Sequence, residues 1–245
     1  MITISNLSKQ YFGGNQALTD MNLTLPRGEI VGIFGENGAG KTTLMKCVFN
    51  FMKYDGTITL DGEPITHKNI ETLSFATCEH SFFSHLSPAD HRDFYARNFP
   101  KFRGKRFDAL MTFFELPTDR HIGKFSVGQQ NQFEVICALS QGADYIFMDE
   151  PFAGNDVFNR EDFYKVLLGI LEPTETVILS THLLEEVEHF ISRAVLIRKG
   201  TILQDVQMSD LEDNGKTLMQ FVKESYAYQS DRVSRALDAL TEDTQ

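Results

Sequence analysis

The chain has 245 residues, of which 42% are hydrophobic and 23% charged; this composition is typical of a globular protein with a full core and excludes a disordered chain. Its 34 acidic residues outnumber its 23 basic ones, and the net charge of −11 disfavours a protein that binds nucleic acid or anionic lipid over its whole surface. The three cysteines are widely spaced without a Cys-x-x-Cys pair, so neither a disulfide framework nor a zinc site is expected and a reduced compartment is favoured.

The N-terminus is predicted to begin as mature protein. Residues 1–9 alternate apolar and polar side chains and lack the basic start and continuous apolar stretch of a signal peptide. No run of about 18 consecutive apolar residues occurs in the chain, so we expect that it does not cross a bilayer by itself.

The first third of the chain predicts strands around one glycine-rich loop. The short apolar run 29–34 cannot be assigned by periodicity alone, but the loop 35–40 and the helical pattern after it favour a strand–loop–helix unit. That helix is expected to pack Leu44, Val48 and Phe51 on one side. The predicted elements are strands over 2–7, 17–25, 29–34, 56–62 and 73–77 and a helix over 41–50.

The rest of the chain predicts a helical insertion followed by a buried sheet. Apolar residues recur at helical spacing over 78–142, whereas 145–148, 176–179 and 194–197 are short apolar strands separated by helical stretches over 158–171 and 183–191. Apolar strands alternating with helices indicate a mostly parallel sheet that is covered on both faces. From Asp210 onward a helical tail is expected.

The strongest motif is a phosphate-binding loop of the form G-x-x-x-x-G-K-[ST] between a predicted strand and a predicted helix. Its glycines allow a tight turn whose N–H groups point inward, at a helix N-terminus that suits a phosphate. Lys41 would reach the β- and γ-phosphates and the Thr42 hydroxyl would bind Mg²⁺. The alternative is a chance glycine-rich turn, which is disfavoured because the four specified positions occur between a predicted strand and a predicted helix. The predicted nucleotide-binding residues are Gly35, Glu36, Asn37, Gly38, Ala39, Gly40, Lys41, Thr42 and Thr43.

Two carboxylates, Asp149 and Glu150, follow the predicted strand 145–148. Acids at the carboxyl edge of a parallel sheet lie in the ligand crevice, so Asp149 is predicted to hold the metal and Glu150 to act as general base on the attacking water. Taken alone, the pair could equally cap a helix or a turn. Together with the phosphate loop, the catalytic interpretation is favoured.

His182 follows the strand 176–179 directly and is therefore expected at the same sheet edge, where its imidazole could contact the γ-phosphate. The other six histidines have no such placement and are expected to be surface or partly buried side chains. They are His67, His80, His85, His91, His121 and His189.

With these motifs the chain resembles the nucleotide-binding subunit of ATP-binding cassette (ABC) transporters, from Met1 to about Asp205. Residues 125–129 stand at the position of the family's signature Leu-Ser-Gly-Gly-Gln, and Glu150-Pro151 leads through Gly154 to the D-loop Asp156. The resemblance makes His182 the switch histidine and Tyr11 the aromatic residue that stacks on adenine.

The resemblance implies an α/β fold with a P-loop NTPase (RecA-like) core, a mostly parallel sheet, N-terminal antiparallel β strands and an inserted α-helical subdomain. The core would comprise 1–77 and 143–205, the helical subdomain with the signature 78–142, and the C-terminal helical tail 206–245. It further implies ATP hydrolysis with Mg²⁺ by a dimer, homo- or heteromeric, coupled to a separate transmembrane permease. The chain would then be cytoplasmic, held at the inner face of the membrane by the permease, with no nucleic-acid partner.

The signature region also carries a local helix-capping pattern that does not depend on the resemblance. Ser126 and Gln129 have capping-box spacing, which predicts a helix N-terminus with free N–H groups and a partial positive charge. By itself this is simply a well-capped helix. By resemblance, Ser126, Gly128 and Gln129 would contact the γ-phosphate bound to a second subunit, as a trans-acting anion site.

Several positions depart from the family pattern. Val127 replaces a glycine and Phe125 a leucine in the signature, Cys78 followed by Glu79 replaces the Q-loop glutamine, and Asn155 replaces a D-loop leucine. A β-branched residue at position 127 would be costly if that position required a positive φ or a close approach to phosphate. We therefore expect a competent nucleotide site whose signature provides a weakened composite site to a different partner subunit.

Two other classes compete with a transporter subunit. A soluble ABC protein acting on DNA, ribosomes or iron–sulfur assembly is disfavoured because one cassette of this length lacks the long coiled coil or second cassette of those proteins. A nucleotide-sensing module without turnover is favoured by the altered signature but disfavoured by Glu150 and His182. Export is expected rather than import, by family analogy alone.

Overall fold

The computed structural model describes residues 1–77, 79–151 and 157–226, with the backbone alone for 157–161. The strands are β1 Ile2–Gln10, β2 Gln16–Leu25, β3 Ile30–Phe34, β4 Asp55–Leu60, β5 Glu63–Pro64, β6 Leu73–Ala76, β7 Tyr145–Asp149, β8 Thr176–Ser180, β9 Arg193–Arg198 and β10 Thr201–Gln207. The helices are α1 Lys41–Val48, α2 Pro88–Asn98, α3 Gly104–Phe113, α4 Val127–Ser140, α5 Val157–Ile170, α6 Leu184–Val187, α7 Met208–Asp213 and α8 Leu218–Ser225.

The strands form two sheets, which confirms the predicted α/β fold class. One sheet has the order β10-β9-β3-β8-β7-β6; all its neighbours are parallel except the antiparallel pair of β9 and β10. The other is antiparallel, with the order β2-β1-β4-β5. Every residue of β7 and β8 is buried, which explains why these strands are continuous apolar runs rather than alternating ones.

The parallel register brings three loops to one edge of the larger sheet. Ser180 pairs with Asp149 on one side of β8 and with Ile33 on the other. The strands β3, β7 and β8 therefore end side by side, and the segments that follow them leave the sheet at the same place. This is the carboxyl edge at which open α/β sheets bind ligands.

Helix α1 is shorter than predicted. Asn50 has a left-handed backbone with φ of 56°, so the helix ends at Val48, before the expected Asn50. Leu44 and Val48 are buried as predicted, but the expectation for Phe51 is wrong, since it is 64% exposed. Because Phe51 lies beyond the helix end, its helical spacing from Val48 does not place it on the buried face.

Helices α2, α3 and α4 lie within the segment predicted to be a helical insertion and share an aromatic cluster. His91 belongs to this cluster, with its ring 5.1 Å from that of Phe133. Its Nε2 accepts from the Phe83 N–H at 3.1 Å and its Nδ1 lies 2.9 Å from the Ser87 carbonyl oxygen, and burial lowers its pKa. The expectation of a surface or partly buried histidine is wrong here, because His91 is 1% exposed.

The C-terminal part adds one strand that was not predicted, and the predicted tail is helical where the structure describes it. Strand β10, which the sequence pattern did not predict, extends to Gln207, and only the short helices α7 and α8 follow it up to Tyr226. The predicted helix over 183–191 is reduced to the four residues of α6. The part of the tail over 227–245 lies outside the described residues, and within 1–77, 79–151 and 157–226 no helix has the length and apolarity needed to span a bilayer.

Candidate functional site

The loop between β3 and α1 is a compact turn that requires glycine. Gly38 and Gly40 have φ of 80° and 112°, a backbone region that disfavours other residues. A Cβ on Gly40 would lie 2.8 Å from the Ala17 carbonyl oxygen, so a side chain has no room there. The Ala39 N–H donates to the Glu36 carbonyl at 3.0 Å, which closes the turn at the N-terminus of α1. A glycine-rich turn at a helix N-terminus is an arrangement that can bind anions.

Lys41 lies under this loop with only 7% of its surface exposed. Its Nζ donates to the carbonyl oxygens of Gly35 at 2.7 Å and Glu36 at 3.3 Å. The ammonium group is therefore held by the loop itself, and its positive charge lies where phosphate oxygens would be received.

Asp149 connects the loop to the two strands behind it. The Thr42 hydroxyl donates to Asp149 Oδ2 at 2.5 Å, and the Ser180 hydroxyl donates to Oδ1. A hydroxyl and a carboxylate are hard oxygen donors, so this pair fits Mg²⁺. Within the described part of the chain no three His, Cys, Asp or Glu side chains gather as a metal site. Phosphate oxygens of a nucleotide would have to complete the coordination sphere.

Glu150 and His182 are in contact at the same edge. His182 Nδ1 lies 3.0 Å from Glu150 Oε2, and the backbone N–H of Glu150 donates to the Ser180 carbonyl oxygen at 3.0 Å. Glu150 has a φ of 46°, a left-handed conformation that costs on the order of 1–3 kcal/mol for a non-glycine residue. This strained backbone turns the chain at the end of β7 and holds the carboxylate towards His182.

Tyr11 lies beside the phosphate loop. Its hydroxyl is 3.2 Å from Thr43 Oγ1, and the Lys9 ammonium lies 5.4 Å from the centre of its ring. A cavity of about 310 Å³ joins the tyrosine to the loop and to both acids. It is lined by Tyr11, Asn15, Gln16, Ala17, Asn37, Gly38, Gly40, Lys41, Thr42, Thr43, Asp149 and Glu150. Sequence reasoning missed Asn15, Gln16 and Ala17, whose only signal was their closeness in the chain to Tyr11.

His182, Gly35 and Glu36 line a neighbouring cavity of about 280 Å³ instead. The two cavities are linked through the contact between His182 and Glu150. The fold therefore gathers the sequence-predicted loop, acids, histidine and tyrosine into two adjoining spaces.

The signature residues lie apart from both cavities. Ser126 caps helix α4: its hydroxyl accepts from the Gln129 N–H at 3.2 Å, while the Gln129 side chain accepts from the Ser126 N–H at 3.0 Å. The predicted capping box is confirmed. Neither Ser126 nor Gly128 nor Gln129 lines the cavities that hold the phosphate loop of the same chain.

The two signature substitutions have different surroundings. Phe125 is buried, and its ring meets that of Phe133 edge-on at 6.3 Å, so its larger side chain contributes to the core. Val127 is 65% exposed and begins the helix α4 with no positive φ. Valine in place of glycine at position 127 therefore does not strain the backbone. It adds a larger side chain at the exposed N-terminus of the helix.

The segment at the expected Q-loop position is anchored from both sides. Cys78 lies outside the described residues, but the Glu79 carboxylate pairs with Lys46 of α1 at 2.5 Å. On the other side, buried Glu134 of α4 accepts from the Ser81 hydroxyl at 2.7 Å and its N–H at 3.1 Å, and burial raises the pKa of Glu134. Sequence reasoning missed Glu134, since an acid within an apolar helical stretch carries no motif. The D-loop expectations for Gly154, Asn155 and Asp156 also lie outside the described residues.

Comparison with known proteins points to one family. The sequence model of the ABC transporter family matches residues 18–153. The chain is 26% identical over 235 residues to the ABC transporter ATP-binding protein YtrB of Bacillus subtilis strain 168, covering 94% of this chain and 78% of that protein. It is 28% identical over 232 residues to the SkfA peptide export ATP-binding protein SkfE of the same strain, covering 91% of this chain and 96% of that protein.

A solved structure of a dimeric ATP-binding cassette bound to ADP and phosphate, MJ0796, superposes with a TM-score of 0.74. It is 20% identical and covers 85% of this chain and 99% of that one, so it shows a shared fold. The family match covers more than half of the chain, and the chain therefore belongs to the ABC transporter family as an ATP-binding subunit. It is an ABC-type ATPase that binds ATP and hydrolyses it to ADP and phosphate.

Proposed function

We propose that this chain drives transport through a separate transmembrane permease, and that it hydrolyses ATP with Mg²⁺ at the cavity between Tyr11 and Glu150. The observation that carries the proposal is the pair of contacts at one sheet edge, Thr42 with Asp149 and His182 with Glu150, next to the phosphate loop. These side chains are brought together from segments far apart in the chain.

The loop residues bind and orient the nucleotide. The N–H groups of residues 35–43 surround the phosphates, and Lys41 neutralises negative charge that accumulates on the β- and γ-phosphates. The Tyr11 ring stacks on the base at the other end of the cavity. Because both ends are held, the γ-phosphate is kept near Glu150, which lowers the entropic cost of reaching the transition state.

Thr42 and Asp149 would hold Mg²⁺, which would supply positive charge to the phosphate oxygens. The Ser180 hydroxyl, bound to the other oxygen of Asp149, orients the carboxylate. Ser180 is thus a positioning residue for the metal site, and its own position is set by the register of β8.

Glu150 orients the attacking water and accepts its proton as the water oxygen bonds to the γ-phosphorus and the bond to the β-phosphate oxygen breaks. The His182 imidazole, 3.0 Å from Glu150, positions this carboxylate and contacts the γ-phosphate. The leaving ADP carries the electron pair of the broken bond, and its charge is stabilised by Lys41 and the loop N–H groups.

The proposal includes a dimer in which Ser126, Gly128 and Gln129 complete the site of a second subunit. The well-capped N-terminus of α4 carries a partial positive charge and is exposed at Val127, which supports a role towards an anion outside this chain. The valine side chain adds bulk at that N-terminus. We propose that this weakens the composite site and that the partner is a different ATPase subunit.

The direction of transport, the location of the chain and the selection of the cargo are proposed from its similarity to relatives. Relatives named for import of iron and of sulfate are 31% and 30% identical to this chain. We propose export because the peptide export protein SkfE is matched over 96% of its length, against 62% and 68% for those two. The permease would hold the chain at the cytoplasmic face of the membrane, and the cargo would be selected by the permease rather than by this chain.

The decisive variant is Glu150→Gln, which keeps the size of the side chain and removes its basicity. We expect ATP affinity to be retained and turnover to fall by about 100-fold or more, since general-base catalysis contributes about 10²–10⁴-fold. Binding is measured by titration calorimetry and turnover by phosphate release from the assembled complex. Glu63→Gln, in the exposed strand β5, is the matched control and leaves both unchanged.

Wild-type turnover in Glu150→Gln would remove the assignment of Glu150 as base. Copurification with a multi-span membrane protein is expected for a transporter subunit. ATP binding without phosphate release by that complex would instead favour the nucleotide-sensing alternative.

A further inference from the structure

Helix α8 packs against the back of the nucleotide site. Tyr226 directly follows the helix, and its hydroxyl donates to the Ile197 carbonyl oxygen of β9 at 2.9 Å. The guanidinium of Arg198 lies 5.5 Å from the centre of the Tyr226 ring. These two contacts fix the ring against the end of β9.

The same Ile197 carbonyl meets the first residue of the phosphate loop. A Cβ on Gly35 would clash with this oxygen, so the loop backbone and β9 are in direct contact there. A shift of the Ile197 carbonyl towards the loop would therefore displace Gly35. Through one oxygen atom, Tyr226 is mechanically connected to the start of the loop that binds phosphate.

Tyr226 also faces the histidine side of the site. The cavity of about 280 Å³ is bounded on one wall by Tyr226 and Val222 of the C-terminal segment and on the other by Glu36, His182 and Leu184. Burial raises the pKa of the Tyr226 hydroxyl, and the nearby Glu36 carboxylate raises it further. The hydroxyl therefore stays protonated and remains a hydrogen-bond donor at neutral pH.

The start of α8 is fastened to the segment that follows His182. The Leu218 N–H donates to Glu188 Oε1 at 2.7 Å, and the Leu218 side chain is fully buried. Glu188 directly follows helix α6, which begins two residues after His182. Helix α8 thus contacts the His182 segment at its beginning and the phosphate loop, through Ile197, at its end.

We propose that α8 stabilises the nucleotide site and that Tyr226 is a positioning residue for Gly35 and His182. The proposal rests on the proposed function, because it assigns these contacts to the same hydrolytic site. Tyr226 acts through its neighbours and touches neither ATP nor water in the reaction. Its loss should loosen the phosphate end of the site while leaving the Tyr11 end unchanged, since the contacts of Tyr226 lie at Ile197 and on the His182 side of the site.

The test compares Tyr226→Phe and Tyr226→Ala in the full chain. The phenylalanine variant keeps the ring and removes only the hydrogen bond to Ile197, whereas the alanine variant removes both contacts. Glu224→Gln is the matched control, because it lies on the same helix and breaks only the exposed ion pair with Lys216. Each variant is studied by amide hydrogen exchange and by steady-state ATP hydrolysis.

We expect faster exchange of the amides over 35–40 and 180–188 in Tyr226→Ala, a smaller increase in Tyr226→Phe, and none in Glu224→Gln. The kcat for ATP is expected to fall about threefold in Tyr226→Phe and about tenfold or more in Tyr226→Ala, with KM within about twofold of wild type. If Tyr226 only stabilised the fold, Tyr226→Ala would raise hydrogen exchange throughout the chain and would change kcat and KM together.

Unchanged exchange over both segments in Tyr226→Phe and Tyr226→Ala would overturn the proposal, as would an equal loss of kcat in Glu224→Gln. If Tyr226→Ala does not fold, the phenylalanine variant decides by the same two measurements. Because exchange is measured without turnover, it decides the positioning role independently of the proposed function, which fails instead if the assembled complex releases no phosphate.

Discussion

At the scale of single residues, the site depends on side chains whose partners lie far away in the chain. Thr42 and Asp149 are 107 positions apart and are still joined by a hydrogen bond of 2.5 Å. The type of each residue was predictable, because a lysine and threonine after a glycine-rich loop and an acid after a buried strand have few other uses in combination. The contact between His182 and Glu150 was not, since it depends on two neighbouring strands ending in the same register.

Tyr11 provides a test at this scale. Tyr11→Ala should weaken ATP binding by about 5- to 150-fold, because stacking of a base on an aromatic ring contributes about 1–3 kcal/mol. Tyr11→Phe keeps the ring and loses only the hydroxyl contact with Thr43, so its affinity should stay close to wild type. Titration calorimetry with ATP measures both. Equal weakening by the two variants would place the importance of Tyr11 in its hydroxyl rather than in stacking.

At the scale of elements, helix α4 connects the signature with the rest of the molecule. Its N-terminus is closed by the capping box of Ser126 and Gln129, and Glu134 in its middle holds Ser81 of the segment before α2. The capping box could be predicted, because it is a pattern over four consecutive residues. The buried Glu134 could not, because only the packing of α4 against that segment supplies its hydrogen-bond donors.

Val127 provides a test at the scale of this helix. Val127→Gly should raise ATP turnover of the assembled complex several-fold, since it removes bulk from the N-terminus proposed to face the second nucleotide. The cost in stability should be at most about 1 kcal/mol, the usual penalty of glycine in a helix. Phosphate release measures turnover, and Val127→Ala, which keeps a Cβ, should lie between glycine and valine.

Full activity of a homodimer of the wild-type chain would argue against the weakened composite site. Equal ATPase activity at the two sites of a heteromeric complex would do the same. In either case the altered signature would be compatible with normal turnover.

At the scale of the whole molecule, a buried ion pair joins the helical segment to the sheet. The Arg106 guanidinium of α3 binds both carboxylate oxygens of Glu175 at 2.9 and 3.0 Å, just before β8. It also donates to the Leu139 carbonyl at the end of α4, at 2.9 Å. Both side chains are almost fully buried, so this pair fixes α3 and α4 relative to the strand that carries Ser180.

Arg106→Met should lower the free energy of unfolding by up to about 3–5 kcal/mol, because the buried Glu175 carboxylate then keeps only its longer ion pair, with Arg103 at 3.4 Å. The double variant Arg106→Met with Glu175→Leu should lose much less, since no buried carboxylate remains and Arg103 keeps its ion pair with Glu172. Chemical denaturation measures both. Arg92→Met, which breaks the exposed pair with Asp108, is the control and should cost about 1 kcal/mol or less. A double variant as unstable as Arg106→Met would contradict this account.

The sequence by itself determined the chemistry of the site and the fold class. A phosphate loop is made of consecutive residues, so its N–H groups, Lys41 and Thr42 are specified locally, and apolar strands alternating with helices specify a buried parallel sheet. Only the tertiary structure decided that His91 is buried, that Phe51 is exposed, and that Tyr226 reaches Gly35 through Ile197. Such contacts join residues distant in the chain, and their energies depend on packing and strand register rather than on any local pattern.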